Sequence, residues 1–184
     1  MILFINSCVR QESRTKKLAE SILSERNVPY EEIRLVDIEF PIVDEEFLLR
    51  RDRLIREGHF NDPTFELARQ FAEADELVIA APFWDLSFPA SLKQYFEQVN
   101  VVGITFRYTP DGVPEGLCKA EKLTYITTAG GQYLPEEYGF GYIKALAQNY
   151  YGIRDVRAVK ATGLDIVGAD AEAIIKTAFD KYKS

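Results

Sequence analysis

The clearest strand signal in this chain is Leu77-Val78-Ile79-Ala80-Ala81, a run of five apolar residues that stops at Pro82. A continuous apolar run predicts a strand buried on both faces, as in a parallel sheet covered by helices. A second continuous apolar run begins at Ile2, and shorter apolar segments interrupted by polar residues occur elsewhere in the chain. They predict four more strands, at residues 2–6, around Ile33-Leu35-Val36, at 123–128 and at 156–162.

Segments with helical periodicity separate these strands. Leu92, Tyr95, Phe96 and Val99 recur at i, i+3, i+4 and i+7, which predicts a helix. The remaining helices are predicted at residues 14–26, at 44–57 with Gly58 as the stop, from Asp62-Pro63 onward, at 139–151 and at 169–182.

Strands and helices therefore alternate, except in one segment. Residues 103–120 hold three glycines and two prolines, which predicts loops or a hairpin. The alternation predicts a single α/β domain over residues 1–184, with a parallel sheet and helices on both of its faces.

Composition excludes several classes of protein. The formal net charge is −7, whereas a protein that binds nucleic acid or an anionic membrane surface usually carries the opposite sign. Two cysteines and one histidine do not suffice for a structural zinc site. We therefore expect no metal. Because the chain opens on a short strand-like run with no basic region before it, we expect a cytoplasmic protein with free thiols.

Parallel sheets bind ligands beyond the carboxyl ends of their strands, so the loops at 6–15, 82–87 and 128–133 are the candidates. The first loop leads into a helix N-terminus and contains Ser7, Ser13, Arg14 and Thr15. Segment 9–17 holds four cations against one carboxylate, a net +3, which favours a phosphate site. The alternative is that Ser13 only caps the helix and the cations form a solvated face. Neither a Walker A motif nor G-x-G-x-x-G is present.

The other two loops favour a flat ring as ligand. Phe83 and Trp84 follow the strand at 77–81, and they either contact such a ring or cap the core. Gly130 and Gly131 follow the strand at 123–128, and they either allow close approach of a ligand to the backbone or form a plain turn.

Four motifs occur in order along the chain: Ala81-Pro82-Phe83-Trp84, Phe88-Pro89-Ala90-Ser91-Leu92-Lys93, Gly103-Ile104-Thr105-Phe106-Arg107-Tyr108-Thr109 and Thr127-Thr128-Ala129-Gly130-Gly131. With these motifs the chain resembles a known family, the FMN-dependent NADH-azoreductases within the flavodoxin-like NAD(P)H:quinone oxidoreductases. The resemblance covers nearly the whole chain and is strongest over residues 77–131.

The resemblance implies a flavodoxin-like three-layer sandwich with strand order 2-1-3-4-5, FMN as cofactor and NADH or NADPH as co-substrate. It implies a homodimer whose substrate pocket, shared between subunits, is lined by Tyr108 and Tyr150. It also implies three groups of FMN-binding residues: Ser7, Ser13, Arg14 and Thr15 at the phosphate; Pro82, Phe83, Trp84, Asp85 and Leu86 along the ring; and Thr128, Ala129, Gly130 and Gly131 on the other ring edge.

The implied reaction passes two electrons from NAD(P)H through flavin N5 to a small acceptor, such as a quinone or an azo compound, in a ping-pong cycle. No side chain acts as nucleophile or general base in this scheme. His59 and Cys8 are therefore expected to be a surface residue and a small buried residue.

The chain departs from the family at Asp85, where the family often has Asn, and at Ala129, where it often has Arg. Both departures disfavour an anionic reduced flavin. A flavodoxin-type electron carrier and a flavin-free regulatory or scaffold protein are the alternative functions.

Overall fold

A computed structural model describes residues 1–183. Five strands form the predicted parallel sheet: β1 (Ile2–Asn6), β2 (Tyr30–Arg34), β3 (Glu76–Ala80), β6 (Lys122–Thr128) and β7 (Asp155–Ala161). Their order across the sheet is β2-β1-β3-β6-β7, which is 2-1-3-4-5 when only these five are counted. The predicted fold class and strand order are confirmed.

Residues 1–183 contain six α-helices, and Leu54 of the second packs with Phe65, Ala68 and Val101 in a small separate cluster. The bounds of the helices are α1 (Arg14–Arg26), α2 (Glu45–Arg56), α3 (Glu66–Glu73), α4 (Ala90–Val99), α5 (Phe140–Leu146) and α6 (Ala171–Lys183). Asp62 and Pro63 start a 3-10 turn that leads into α3, and the Asp62 carboxylate accepts a hydrogen bond from the Thr64 amide. A wider π-type turn, Ala147–Tyr151, extends α5 to the end predicted at residue 151.

The segment 103–120 contains a short antiparallel hairpin of β4 (Phe106–Tyr108) and β5 (Pro114–Gly116), one of the two forms expected for it.

The second strand was misplaced by the sequence prediction. β2 ends at Arg34, and Leu35 and Val36 belong to the following 3-10 turn. β2 lies at the edge of the sheet, and Ile33 is its one buried residue. An edge strand with a single buried side chain carries little apolar signal, so the prediction followed the apolar residues beyond it.

The sheet separates two apolar cores, and the carboxyl ends of its strands lie along one edge. Leu77 and Ile79 of β3 face the core that contains α4, while Val78 and Ala80 face the core that contains α1. The carboxyl ends of β1, β3 and β6 stop side by side, with Asn6 opposite Ala80 and Ala80 opposite Ile126. No helix in residues 1–183 is long and apolar enough to cross a membrane.

Candidate functional site

A cleft of about 360 Å³ lies beyond the carboxyl ends of the strands. It falls within the range of about 300–1,000 Å³ that small-molecule sites occupy. Its walls come from the loops after β1, β3, β6 and β7. The lining residues are Val9, Arg10, Glu12, Ser13, Arg14, Thr15, Pro82, Phe83, Trp84, Thr128, Ala129, Gly130, Leu164 and Asp165.

The start of α1 forms the polar end of the cleft. Ser13 caps the helix, and its hydroxyl oxygen accepts a hydrogen bond from the Lys16 amide at 3.3 Å. The amides of Arg14 and Thr15, in the first turn, have no acceptor among residues 1–183. Free amides and the positive end of the helix dipole suit an anion. Ser13 also keeps its own hydroxyl proton for donation.

A hydrogen bond between two hydroxyls ties the first loop to the third. The Oγ1 atoms of Thr15 and Thr128 lie 2.7 Å apart, and both residues are buried. One hydroxyl donates to the other, so the proton of the second is free for another acceptor. The pair therefore joins the cleft walls and still offers a donor at its base.

The charges at this end are balanced rather than positive. An Arg14 Nη1 lies 2.6 Å from an Asp165 carboxylate oxygen, Lys17 pairs with Glu12, and Arg10 has no ion-pair partner within the described part of the chain. The charged side chains that line the cleft are two arginines and two carboxylates. The net +3 counted along segment 9–17 is thus cancelled where it faces the cleft.

Leu164 and Asp165 were missed by the sequence analysis. They follow β7, whose carboxyl end lies beside that of β6, with Thr128 opposite Ala161. The amide of Leu164 donates to the Ala129 carbonyl at 3.2 Å, and the amide of Asp165 donates to the Gly130 carbonyl at 3.0 Å. The rule that selected the other three loops also applies to this fourth one.

The apolar wall is formed by Phe83 and Trp84. The Phe83 amide donates to the Thr128 carbonyl at 3.1 Å, so this loop is anchored to the end of β6. Trp84 and Ser87 exchange two backbone hydrogen bonds around Asp85 and Leu86, whose φ angles are +49° and +68°. Two positive φ angles in a two-residue loop define a type I′ turn, which is strained for residues such as leucine.

Gly130 lies against the Asp165 side chain from the loop after β7. A Cβ at this position would lie 2.3 Å from an Asp165 carboxylate oxygen. The amides of Gly130 and Gly131 have no acceptor in the region the structure describes. Ala129 is buried against the cleft, and its amide donates to the Ala161 carbonyl.

Four predicted FMN-binding residues lie outside the cleft lining. Ser7 is buried below it, with its hydroxyl oxygen 3.3 Å from that of Ser91. Asp85 and Leu86 are exposed on the turn. Gly131, the fourth, contributes its carbonyl to the Gly163 amide at 2.8 Å. Roles for these residues at a ligand stay predictions.

The two tyrosines assigned to a substrate pocket lie together elsewhere. Tyr150 stacks on Phe106 with the ring centroids 4.5 Å apart, and Tyr108 contacts Phe106 edge-on. A hydrogen bond with the Tyr150 side chain raises the pKa of Tyr108. Neither tyrosine lines the cleft of this single chain.

Two other side chains behave as expected from the sequence. The imidazole of His59 is exposed and 3.4 Å from Glu57, away from the cleft. Burial raises the pKa of the Cys8 thiol, which is therefore protonated and unreactive at neutral pH. No group of three His, Cys, Asp or Glu side chains in residues 1–183 could hold a metal ion.

A family model described as flavodoxin-like fold matches residues 1–184. This chain belongs to the flavodoxin-like family. Within the family it is 36% identical to an FMN-dependent NADH:quinone oxidoreductase of Lachnoclostridium phytofermentans, over 98% of this chain and 94% of that protein. It is 38% identical to FMN-dependent NADH:quinone oxidoreductase 2 of Clostridium acetobutylicum, over 99% and 96% of the two chains.

Solved structures agree with this flavodoxin-like assignment. An azoreductase of Bacillus anthracis superposes with a TM-score of 0.83 at 26% identity, covering 98% of this chain and 95% of that one. An FMN-dependent NADH-azoreductase of the same species, solved in complex with FMN, gives 0.80 at 24% identity, covering 98% and 94%, and supports the fold alone. The family resemblance predicted from the motifs is confirmed.

Proposed function

We propose that this protein is an FMN-dependent oxidoreductase that passes two electrons from NADH or NADPH to a small acceptor such as a quinone or an azo compound. The observation that carries the proposal is the cleft itself. The cleft has a helix N-terminus suited to an anion at one end and an aromatic wall at the other. It lies beyond the carboxyl ends of the strands, where proteins of this fold bind their ligands.

The residues present fit FMN. At the polar end, the amides of Arg14 and Thr15 and the hydroxyl of Ser13 would hold a phosphate. Phe83 and Trp84 offer an apolar wall to a planar ring, and the backbone at Gly130 is open to close approach on the cleft side. The cleft is not filled by the chain's own side chains.

The chain's contribution is binding and electrostatics. When bound, FMN would supply the redox chemistry, taking a hydride from the nicotinamide and returning two electrons to the acceptor in a ping-pong cycle. The free amide of Gly130, which lines the cleft, would stabilise negative charge at the edge of the ring. No side chain in the cleft is placed as a nucleophile activated by a base, which agrees with chemistry borne by a cofactor.

We also propose that the protein is a homodimer. Ile42 and Leu49 are 83% and 64% exposed, on and beside α2. This helix is acidic in its first turn and basic in its last. Two copies of α2 related by a twofold axis and packed antiparallel would bury Leu49 and pair the acidic end of each helix with the basic end of the other. A second copy would also supply a wall to the exposed Tyr108 and so complete the substrate pocket.

The dimer is tested by light scattering after gel filtration. We expect the wild type and Val28→Glu, a control at an exposed apolar residue away from α2, to be dimers, and Leu49→Glu to be a monomer. A monomeric wild type would contradict the proposal.

The oxidoreductase function is tested on purified protein reconstituted with FMN. Stopped-flow mixing with NADH or NADPH is expected to bleach the flavin absorbance rapidly, and a quinone or azo dye to restore it. Slow bleaching with tight FMN binding would instead indicate an electron carrier. Failure to bind FMN would exclude both.

A further inference from the structure

The Arg14–Asp165 ion pair lies in the part of the cleft where a phosphate would bind. An Arg14 Nη1 is 2.6 Å from the Asp165 carboxylate and 3.5 Å from the Leu164 carbonyl oxygen, and all three residues line the cleft. The two partners are 151 residues apart in sequence. The arginine next to the anion-binding amides is thus already engaged by an anion of the protein itself.

The position of Asp165 is determined by its backbone. Its amide donates to the Gly130 carbonyl, and the residue before it donates to Ala129. The carboxylate fills the space that a side chain at position 130 would need. The loop after β7 is therefore anchored beside the cleft, and from it the largely exposed Asp165 side chain reaches Arg14.

The charge balance of the cleft depends on this residue. With Asp165 in place, two carboxylates offset two arginines in the lining. A dianionic phosphate that binds at the start of α1 must draw Arg14 away from Asp165 or share it. The pair is half-exposed, so water and salt screen this competition without abolishing it.

We infer that Asp165 tunes the affinity for the flavin: it competes with the FMN phosphate for Arg14 and so weakens FMN binding. This inference rests on the proposed FMN site. It also predicts selectivity between flavins. Riboflavin has no phosphate and does not compete for Arg14, so its affinity should not depend on Asp165.

The test is titration of the apoprotein with FMN and with riboflavin, followed by quenching of flavin fluorescence. Asp165→Asn keeps the shape of the side chain against Gly130 and removes its charge. We expect it to bind FMN about 2- to 5-fold more tightly at low salt, the range of a half-exposed ion pair. Riboflavin affinity should be unchanged, and the gain for FMN should shrink in high salt.

A background that lacks Arg14 separates competition for this arginine from direct repulsion between Asp165 and the phosphate. In Arg14→Gln, FMN should bind more weakly and the added Asp165→Asn should have no further effect, since the competitor has lost its target. Asp111→Asn, at an exposed carboxylate on the β4–β5 hairpin, makes the same change in net charge outside the cleft and should leave FMN affinity unchanged.

Three results would overturn the inference. Weaker FMN binding by Asp165→Asn would show that Asp165 positions Arg14 for the phosphate. An equal gain in both backgrounds would show direct repulsion of the phosphate. Equal gains for FMN and riboflavin would show a change in the cleft unrelated to charge. In each case FMN still binds, whereas a wild type that binds no flavin would refute the proposed function itself.

Discussion

The two ends of the central sheet carry similar side chains and use them differently. At the amino end, Arg26 donates to Glu76, Tyr182 and Thr124, and Glu76 also pairs with Lys122 at 3.4 Å. At the carboxyl end, two arginines, two carboxylates and several free amides face a cleft. Charges that satisfy one another close the first end, while donors left without acceptors make the second end the candidate binding site.

Removing donors at the open end is expected to have the largest effect. Ser13→Ala combined with Thr15→Val should weaken FMN binding, because each charge-assisted hydrogen bond is worth about 1.5–3 kcal/mol. Riboflavin affinity should change far less. The measurement is fluorescence titration of the apoprotein, with Ser21→Ala as control, since that exposed hydroxyl of α1 donates to the Lys17 carbonyl. Unchanged FMN affinity in the double variant would remove the phosphate from this loop.

Breaking the network at the closed end should reduce stability and leave flavin binding alone. Glu76→Gln removes the charge that Arg26 and Lys122 share at a site where Arg26 is 12% and Glu76 20% exposed. We expect a loss of about 1.5–3 kcal/mol in the free energy of unfolding, measured in urea. Glu25→Gln breaks an exposed pair with Lys183 and should cost less than about 1 kcal/mol. Equal losses in the two variants would contradict the contrast between buried and exposed pairs.

Relieving the strained turn beside the cleft is expected to raise the free energy of unfolding by a smaller amount. Leu86 has a φ of +68°, which costs a non-glycine residue about 1–2 kcal/mol. Leu86→Gly removes this cost, but glycine also raises the entropy of the unfolded chain, which partly offsets the gain. We therefore expect a net stabilisation of about 0.5 kcal/mol, measured by thermal unfolding. Leu86→Val should destabilise, since a β-branched residue tolerates this conformation poorly. A stabilising valine would show that the turn is not strained.

The smallest expected effect is a loss of stability in acid that arises at the amino end of the sheet. Hydrogen bonds from Lys119 and the N-terminal amine lower the pKa of Asp75 from 3.8 to about 2. A depressed pKa in the folded state stabilises the protein above pH about 4, and the contribution is lost as the pH falls towards about 2. Asp75→Asn should therefore be less stable than the wild type at neutral pH and match it near pH 2, as followed by urea unfolding. A gap of constant size would assign the effect to packing instead.

The elements of the fold could be predicted wherever burial left a periodic apolar pattern. β1 and β3 are buried on both faces and appeared as almost continuous apolar stretches, while β6, also buried, mixes apolar residues with threonines. β2 could not be placed correctly because it has one buried residue, Ile33. The turn at Asp85 and Leu86 gave no warning either: aspartate tolerates a positive φ, but leucine rarely adopts one.

Local sequence by itself determined the strand–helix alternation and, through it, the edge of the sheet where a ligand would bind. It also identified Ser13, Thr15, Phe83 and Trp84, because each follows directly from a strand or starts a helix. Only the tertiary structure decided the charge of that cleft. Asp165 reaches Arg14 across 151 residues of sequence, and electrostatic energy depends on distance in space, which a count of charges along one loop does not measure.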